Sequence, residues 1–419
     1  MTAVTAFYRF TLGSLRIVTR GSFAYFAWMA ALVALVVVGV VAYAGQFEEG
    51  LIKTGLRDPV SWGFYIGNFT FLVGVAAAAV ILVIPAYVYG WKPIKEIALF
   101  GGLLALSSIA MCMLFVLVDM GRPDRLLHIV PFIGNMNLPQ SMLAWDVVVL
   151  NGYFFLNLFI VTYMLVRYYR GLQPDARIFT PLVLLSIPAA VGIHTVTAFV
   201  YNGLAGRPFW NASILAPRFL VSAFCSGPAV MIVLLQILRR VTNLDIKREA
   251  IWKIAELMAY AMFVNLFFLG AEVFKEVYSD THHVRHLEYL FVGIGEKTAL
   301  VPWAWTSVVF SVVAFVLFLV PRLRRNPVLL NAGCAMIFAG VFIEKGIGLV
   351  IPGYTPSVLG EIYEYEPSQT EILVSAGIFG VGALLFTAMS RVAIAVVRGD
   401  FRYQPAEDAP LSGAPGSAA

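Results

Sequence analysis

Residues 97–119 read IALFGGLLALSSIAMCMLFVLVD, and no side chain in that stretch ionises until the last. As a helix rising 1.5 Å per residue, it extends about 34 Å and crosses the roughly 30 Å hydrocarbon layer of a bilayer. It shows no two-residue alternation, which argues against a membrane strand, and any other form would leave its backbone unpaired in lipid. Nine further stretches repeat the pattern: residues 23–44, 62–89, 141–166, 178–201, 217–238, 251–278, 301–320, 328–351 and 371–392. The chain is 60% hydrophobic and only 13% charged, outside the range of soluble domains. The expected fold is therefore an all-α integral membrane protein of about ten transmembrane helices, arranged as two four-helix bundles plus flanking helices.

Basic residues set the expected orientation. With the N-terminus inside, Lys and Arg favour the inner segments over the outer ones by roughly two to one, which puts both termini in the cytoplasm. The positive net charge then follows from topology and does not point to nucleic acid. Residues 1–22 lack the short apolar core and cleavage site of a signal peptide, so they read as a cytoplasmic segment ahead of a retained first span. Residues 23–398 form one membrane domain, and residues 399–419 a tail rich in Pro, Ala, Gly and Ser, expected to be disordered. Inner connections are short, whereas the outer ones at 121–140, 279–300 and 352–370 are longer and richer in Gly, Pro and aromatics. That asymmetry assigns the outer face to function or to a partner.

Cys112, Cys225 and Cys334 stand alone in three spans, without the paired spacing of zinc, iron–sulfur or attached-haem sites, and read as small buried apolar residues. His128, His282, His283 and His286 fall in outer loops and only His194 lies inside a span. A bis-histidine haem within the bilayer needs two, so no intrinsic haem, iron–sulfur cluster or other metal is expected.

A charge at the centre of a membrane helix costs roughly 2.5 to 3.5 kcal/mol on insertion scales, so the ionisable residues in the spans call for a reason. Asp119, Asp146, His194, Glu272, Glu344 and Lys345 all fall in the outer part of their spans, and only Glu256 sits nearer the inside. His194, Thr197 and Tyr201 recur at i, i+3 and i+7 and share a helix face, and Trp62, Tyr65 and Phe69 repeat the spacing, with Asn68 beside them. Flat apolar walls, hydrogen-bonding groups and a protonatable imidazole are what a quinone headgroup asks for. The plainer readings are belt aromatics at the span ends, a cap pair between Asp119 and Arg122, and a helix-to-helix hydrogen bond from His194. Glu272 and Glu276 lie at i, i+4 with Lys275 between them, and Glu344 precedes Lys345. They read either as a structural ion-pair network between two spans or as a proton path running inward through Asn265 to Glu256.

Several motifs together resemble the NrfD and polysulfide-reductase (PsrC-like) family of membrane subunits, over nearly the whole chain. They are Trp62-Gly63-Phe64-Tyr65-Ile66 with Gly74 deeper in, Asp119-Met120-Gly121-Arg122-Pro123, Trp145-Asp146, His194-Thr195-Val196-Thr197-Ala198-Phe199 and Gly206-Arg207-Pro208-Phe209-Trp210. Gly270-Ala271-Glu272-Val273-Phe274 and the stretch from Pro352 to Glu361 are most similar to the DsrP branch, the NrfD-like subunits of DsrMKJOP complexes of sulfur metabolism, with the Hmc and Qrc subunits close by. The resemblance implies an exchangeable quinone, menaquinone or ubiquinone, near the outer side of the first bundle, in the bacterial or archaeal cytoplasmic membrane. It also implies a periplasmic ferredoxin-like iron–sulfur partner, a multihaem cytochrome c, and a haem b membrane subunit with a cytoplasmic iron–sulfur subunit. On this expectation His194 hydrogen-bonds one quinone oxygen and exchanges its proton, Trp62 and Tyr65 wall the ring, and Asn68, Thr197 and Tyr201 complete the site. Asp119, Asp146, Glu256, Glu272 and Glu344 relay protons, while Arg122, Arg207, Arg218 and Lys345 pair with carboxylates or meet a partner. The alternatives are a secondary transporter, kept open by Pro188 and Gly227-Pro228 as helix breakers, and a purely structural membrane anchor.

Overall fold

A computed structural model describes residues 3–76, 78–95, 97–130, 132–242, 244–281, 284–357 and 359–403. His282, His283 and residues 404–419 of the expected tail at 399–419 lie outside them. Among the described residues the regular structure is helical, with only isolated bridges at Arg57–Val60 and Ile294–Lys297.

An initial helix α1 (Ala3–Val18) precedes the first span, α2 (Phe23–Glu49). In the second expected span the described residues form α3 (Phe64–Ala76) and α4 (Ala78–Val83), which lead into a π-helical turn at Ile84–Val88. A short α5 (Lys92–Lys95) turns the chain into α6 (Ala98–Asp119), followed by α7 (Met142–Tyr169) and α8 (Ala176–Asn202). The second half begins with α9 (Leu215–Val241) and α10 (Arg248–Ser279), then α11 (Val284–Phe291), α12 (Val301–Leu319) and α13 (Pro321–Arg325). Finally α14 (Pro327–Phe342) runs through a second π turn, Ile343–Ile347, into α15 (Gly348–Val350), and α16 (Gln369–Arg398) closes the fold. Nine helices among the described residues are long and apolar enough to cross a membrane by themselves, where about ten spans were expected. The difference is the second span, where the described apolar helix Phe64–Ala76 stops beside residue 77, which lies outside the described residues.

Side-chain caps start the spans where the sequence supplies them. Ser22 accepts from Tyr25 N, Ser141 from Ala144 N, and Ser368 with Glu371 forms a reciprocal capping box at the head of α16. The expected breakers do not break: Pro188 lies inside continuous α8, and Gly227 and Pro228 inside continuous α9. The irregular turns fall elsewhere, so the transporter signature is absent at those positions.

Helices α3/α4, α6, α7 and α8 pack as one bundle, and α9, α10, α12 and α14 as a second. The flanking pair α2 and α16 lies against α6. Lipid supplies no hydrophobic drive between helices, so close approach rests on small residues. At the flanking pair a Cβ on Gly39 would sit 2.6 Å from Gly377 Cα, and between the bundles a Cβ on Gly67 would meet Gly346 at 3.2 Å. That second contact sets α3 directly against the π turn that carries Glu344 and Lys345. Helix α6, the span quoted first, is the central one: 72% of its apolar window is buried, against 11% for α2. By alternation of the spans, the loops after α2, α6, α8, α10 and α15 share one end of the molecule. It is called the loop-rich face below.

Candidate functional site

The polar side chains toward the loop-rich face form three groups, not one cavity. In the first bundle, Thr197 on α8 donates to Asp146 Oδ1 on α7 at 2.7 Å, and Tyr201 shares a 2.5 Å hydrogen bond with Thr70 on α3. His194, one turn deeper, is 1% exposed, and its Nδ1 lies 2.7 Å from Ala190 O. A carbonyl only accepts, so Nδ1 carries the hydrogen, and in the neutral ring Nε2 holds a lone pair. Nε2 is buried with no hydrogen-bond partner among the described residues. The expected face of His194, Thr197 and Tyr201 is therefore real, and it points into the bundle.

Above this group lies an aromatic floor. The Trp62 ring is 5.7 Å from both Tyr201 and Trp210 and 6.1 Å from Tyr354, and Trp210 is 5.0 Å from Tyr354. Each such pair adds about 0.5–1.5 kcal/mol beyond its buried area. Trp210 is fully buried and its indole donates to Leu349 O at 2.8 Å, which locks the loop after α8 onto the second half. Burial pushes the Tyr354 phenol, in the loop outside the spans, up to about 12, so it stays neutral.

Tyr65 does not join Trp62. Three residues on, it faces the flanking pair, where its hydroxyl donates to Gln46 Oε1 at 2.7 Å, and Gln46 in turn donates to Val118 O. The shared-wall expectation for Trp62 and Tyr65 fails because Trp62 precedes the start of α3 at Phe64, so no helical i, i+3 spacing relates them, and they fall in separate clusters. Asn68 is spent on Phe64 O, one turn back. Asp119 ends α6 near this second group, with Oδ1 buried and without a hydrogen-bond partner among the described residues. Its expected partner Arg122 turns outward instead and forms a two-pronged pair with Asp124 at 3.0 and 2.8 Å, which holds that exposed carboxyl below its usual range. The helix stops at Asp119, so the i, i+3 geometry never forms.

The third group lies in the second bundle. Arg218 on α9 donates to Glu272 on α10 and, through Nε at 3.0 Å, to Glu344 Oε1 in the π turn. Asn265 donates to the other Glu344 oxygen at 3.0 Å. The π turn lets successive residues face inward, since Lys345 is only 4% exposed, with its ammonium 4.1 Å from the centre of the Phe219 ring. A cavity of about 50 Å³ opens beside Arg218, Glu272, Glu344 and Lys345, enough for a little water. Glu276 does not share this network, because Lys275 pairs with it at 2.8 Å. Glu256 belongs to the opposite end of α10, held by Arg324 at 2.8 Å and Lys253 at 3.0 Å. No hydrogen bond connects Asn265 to it. Cys112, Cys225 and Cys334 are buried and free, and no group of three metal-type ligands occurs among the described residues.

Residues 53–356 match the polysulphide reductase NrfD family. The chain belongs to that family. It is 27% identical over 398 residues to a putative dimethyl sulfoxide reductase membrane subunit of Halobacterium salinarum, covering 86% of this chain and 89% of the relative. It is 25% identical to an Hdr-like menaquinol oxidoreductase integral membrane subunit of Archaeoglobus fulgidus, covering 87% and 92%. It is 22% identical to the integral membrane subunit of a menaquinone reductase of Nitratidesulfovibrio vulgaris, covering 88% and 91%. With its apolar helices, this makes the NrfD-family chain a multi-pass integral protein of the prokaryotic inner membrane.

In this NrfD chain the partners that sequence reading missed are Gln46, Thr70, Trp210, Tyr354 and Glu371. Trp210 and Tyr354 lay in motif stretches without a role assigned to them, and Gln46 carried a signal as an amide near the end of an apolar run. Glu371 is fully buried and accepts from Gly55 N at 2.7 Å and from the Tyr365 hydroxyl. Its capping box is visible only once the helix start is known.

Proposed function

We propose that this NrfD-family chain is the quinone-exchanging membrane subunit of a multi-subunit electron-transfer complex, with its reactive site in the first bundle around His194. The observation that carries this reading is the buried, unpartnered Nε2 of His194. An imidazole nitrogen in that state costs free energy unless a ligand meets it. As a lone pair it accepts a hydrogen bond from a quinol hydroxyl and takes up its proton on oxidation. As imidazolium it donates to a quinone oxygen and returns the proton. Asp119, also buried with a free oxygen, is the second proton acceptor, while Asp146 and Thr197 hold the opposite wall. Tyr201 and Trp62 cover the site from the loop-rich face, and electrons leave to or arrive from another subunit. The names of the Archaeoglobus and Nitratidesulfovibrio relatives favour menaquinone over ubiquinone.

On this reading the loop-rich face points to the periplasm and both termini to the cytoplasm. The electron partner implied by the sequence motifs is a ferredoxin-like iron–sulfur subunit, with a multihaem cytochrome c and a haem b subunit further along, as in DsrP-type complexes. Titration of the purified complex with a quinol analogue tests the assignment. Binding in the wild type, weakened at least tenfold in His194→Ala, is expected; equal binding by both removes His194 from the site.

A further inference from the structure

We infer that the loop-rich face holds a docking pocket for an acidic side chain of a partner protein subunit, with Arg207 as its anion receptor. This rests on the proposal that the chain works inside a complex. The pocket encloses about 370 Å³ between the loop after α8, helix α11 and the loop after α15, lined by Arg207, Arg285, His286, Ser357 and the glycines Gly206 and Gly360, among others.

Both walls are fixed before anything binds. Trp210, three residues after Arg207, is pinned to Leu349 O at 2.8 Å, and Asn202 donates to Ala212 O at 2.8 Å across the base of the same loop. Opposite, His286 Nδ1 lies 2.6 Å from Pro352 O, and its ring stacks on Phe209 at 5.6 Å. Arg207 is thus an arginine on a rigid support, and its own contacts are slight. Its guanidinium lies 4.6 Å from the centre of the neutral Tyr354 ring and makes one long bond, 3.4 Å, to Tyr354 O. No carboxylate pairs with it among the described residues, so most of its five N–H donors are left for a ligand. Arg285 adds a second cation whose 3.4 Å pair with Glu288 is exposed and weak. Of the acids in the loop after α15, Glu361 is engaged by the Tyr363 hydroxyl and Glu364 by Lys297 at 3.3 Å.

The rim indicates a protein ligand in preference to a small anion. A Cβ added at Gly206 or Gly360 would meet nothing within 4 Å, so the backbone there is open to close approach. Ile294, Ile362, Pro208 and Pro356 line the pocket, and Leu359, between the lining residues Ser357 and Gly360, is 85% exposed. An apolar wall beside a half-buried arginine adds nothing for a free oxyanion, yet it suits a protein surface that inserts one carboxylate.

The test uses the complex purified with its copurifying subunits. Arg207→Glu and, independently, Leu359→Asp are expected to weaken retention of the subunit on this face at least tenfold in a salt-wash series, while both variants keep wild-type unfolding temperatures. Carbodiimide coupling of the Arg207→Lys complex is expected to join position 207 to an Asp or Glu of that subunit, located by mass spectrometry. Full retention in both charge variants, or no coupling at 207 while other lysines couple, overturns the proposal. Stabilisation of the chain by inorganic phosphate with retention unchanged also overturns it, in favour of a small-anion site. Quinol-analogue binding is followed in parallel: its absence in the wild type defeats the quinone reading and leaves the docking result standing.

Discussion

The two bundles differ in how they satisfy their buried polar groups. In the second bundle the ionisable residues settle their charges among themselves: Arg218 lies between Glu272 and Glu344, and Asn265 caps the remaining oxygen. In the first bundle the bonds are mostly neutral and single, as between Thr197 and Asp146 or Tyr201 and Thr70, and His194 Nε2 and Ser108 Oγ have no partner. The contrast is one of degree, since Ser226 Oγ, Asn265 Oδ1 and Ser311 Oγ in the second bundle are also unpartnered. A buried charge that is fully paired is explained by the chain itself. A buried acceptor that is not paired calls for something outside the chain.

The strongest way to break this contrast is to remove the central cation. Arg218→Leu strands two carboxylates and is expected to cost about 3–5 kcal/mol, read as a large fall in unfolding temperature in detergent. The combined Arg218→Met, Glu272→Leu, Glu344→Leu, Lys345→Met variant removes all four charges and should recover most of that loss. Recovery of stability together with quinol turnover makes the network structural, whereas stability without turnover gives it a part in proton handling. Next in size, His194→Ala should lower quinol turnover by about 100-fold or more, as expected for a lost proton acceptor, with unfolding shifted only by the loss of one hydrogen bond of about 1 kcal/mol. A loss of stability as large as that of Arg218→Leu would instead make His194 a structural residue.

Smaller effects sharpen the boundary of the first-bundle site. Thr197→Val leaves Asp146 Oδ1 without its donor and should cost about 1–3 kcal/mol in unfolding, while Thr197→Ser restores the bond and most of the stability. Arg122→Ala should change stability by no more than about 0.5 kcal/mol and leave turnover unaltered, because its pair with Asp124 is exposed. A turnover defect in Arg122→Ala would revive the direct coupling to Asp119 that the geometry argues against.

What could be read from residue order alone was whatever depends on local spacing and on the cost of burial in lipid. Uninterrupted apolar runs marked the spans, and the i, i+3, i+7 pattern of His194, Thr197 and Tyr201 identified a shared face that does point inward. Only the tertiary structure decided partners, because these are set by contacts between helices distant in sequence. Trp62 and Tyr65 parted company, Asp119 lost Arg122 when α6 ended, and Arg218 went to Glu272 and Glu344 in spans that no periodicity relates to it. The close approach of Gly67 and Gly346 had no signature in either segment taken singly, yet it sets the two bundles against each other. Lipid solvation acts on each helix separately and is therefore legible residue by residue, whereas pairing of buried polar atoms is a property of the assembled bundle.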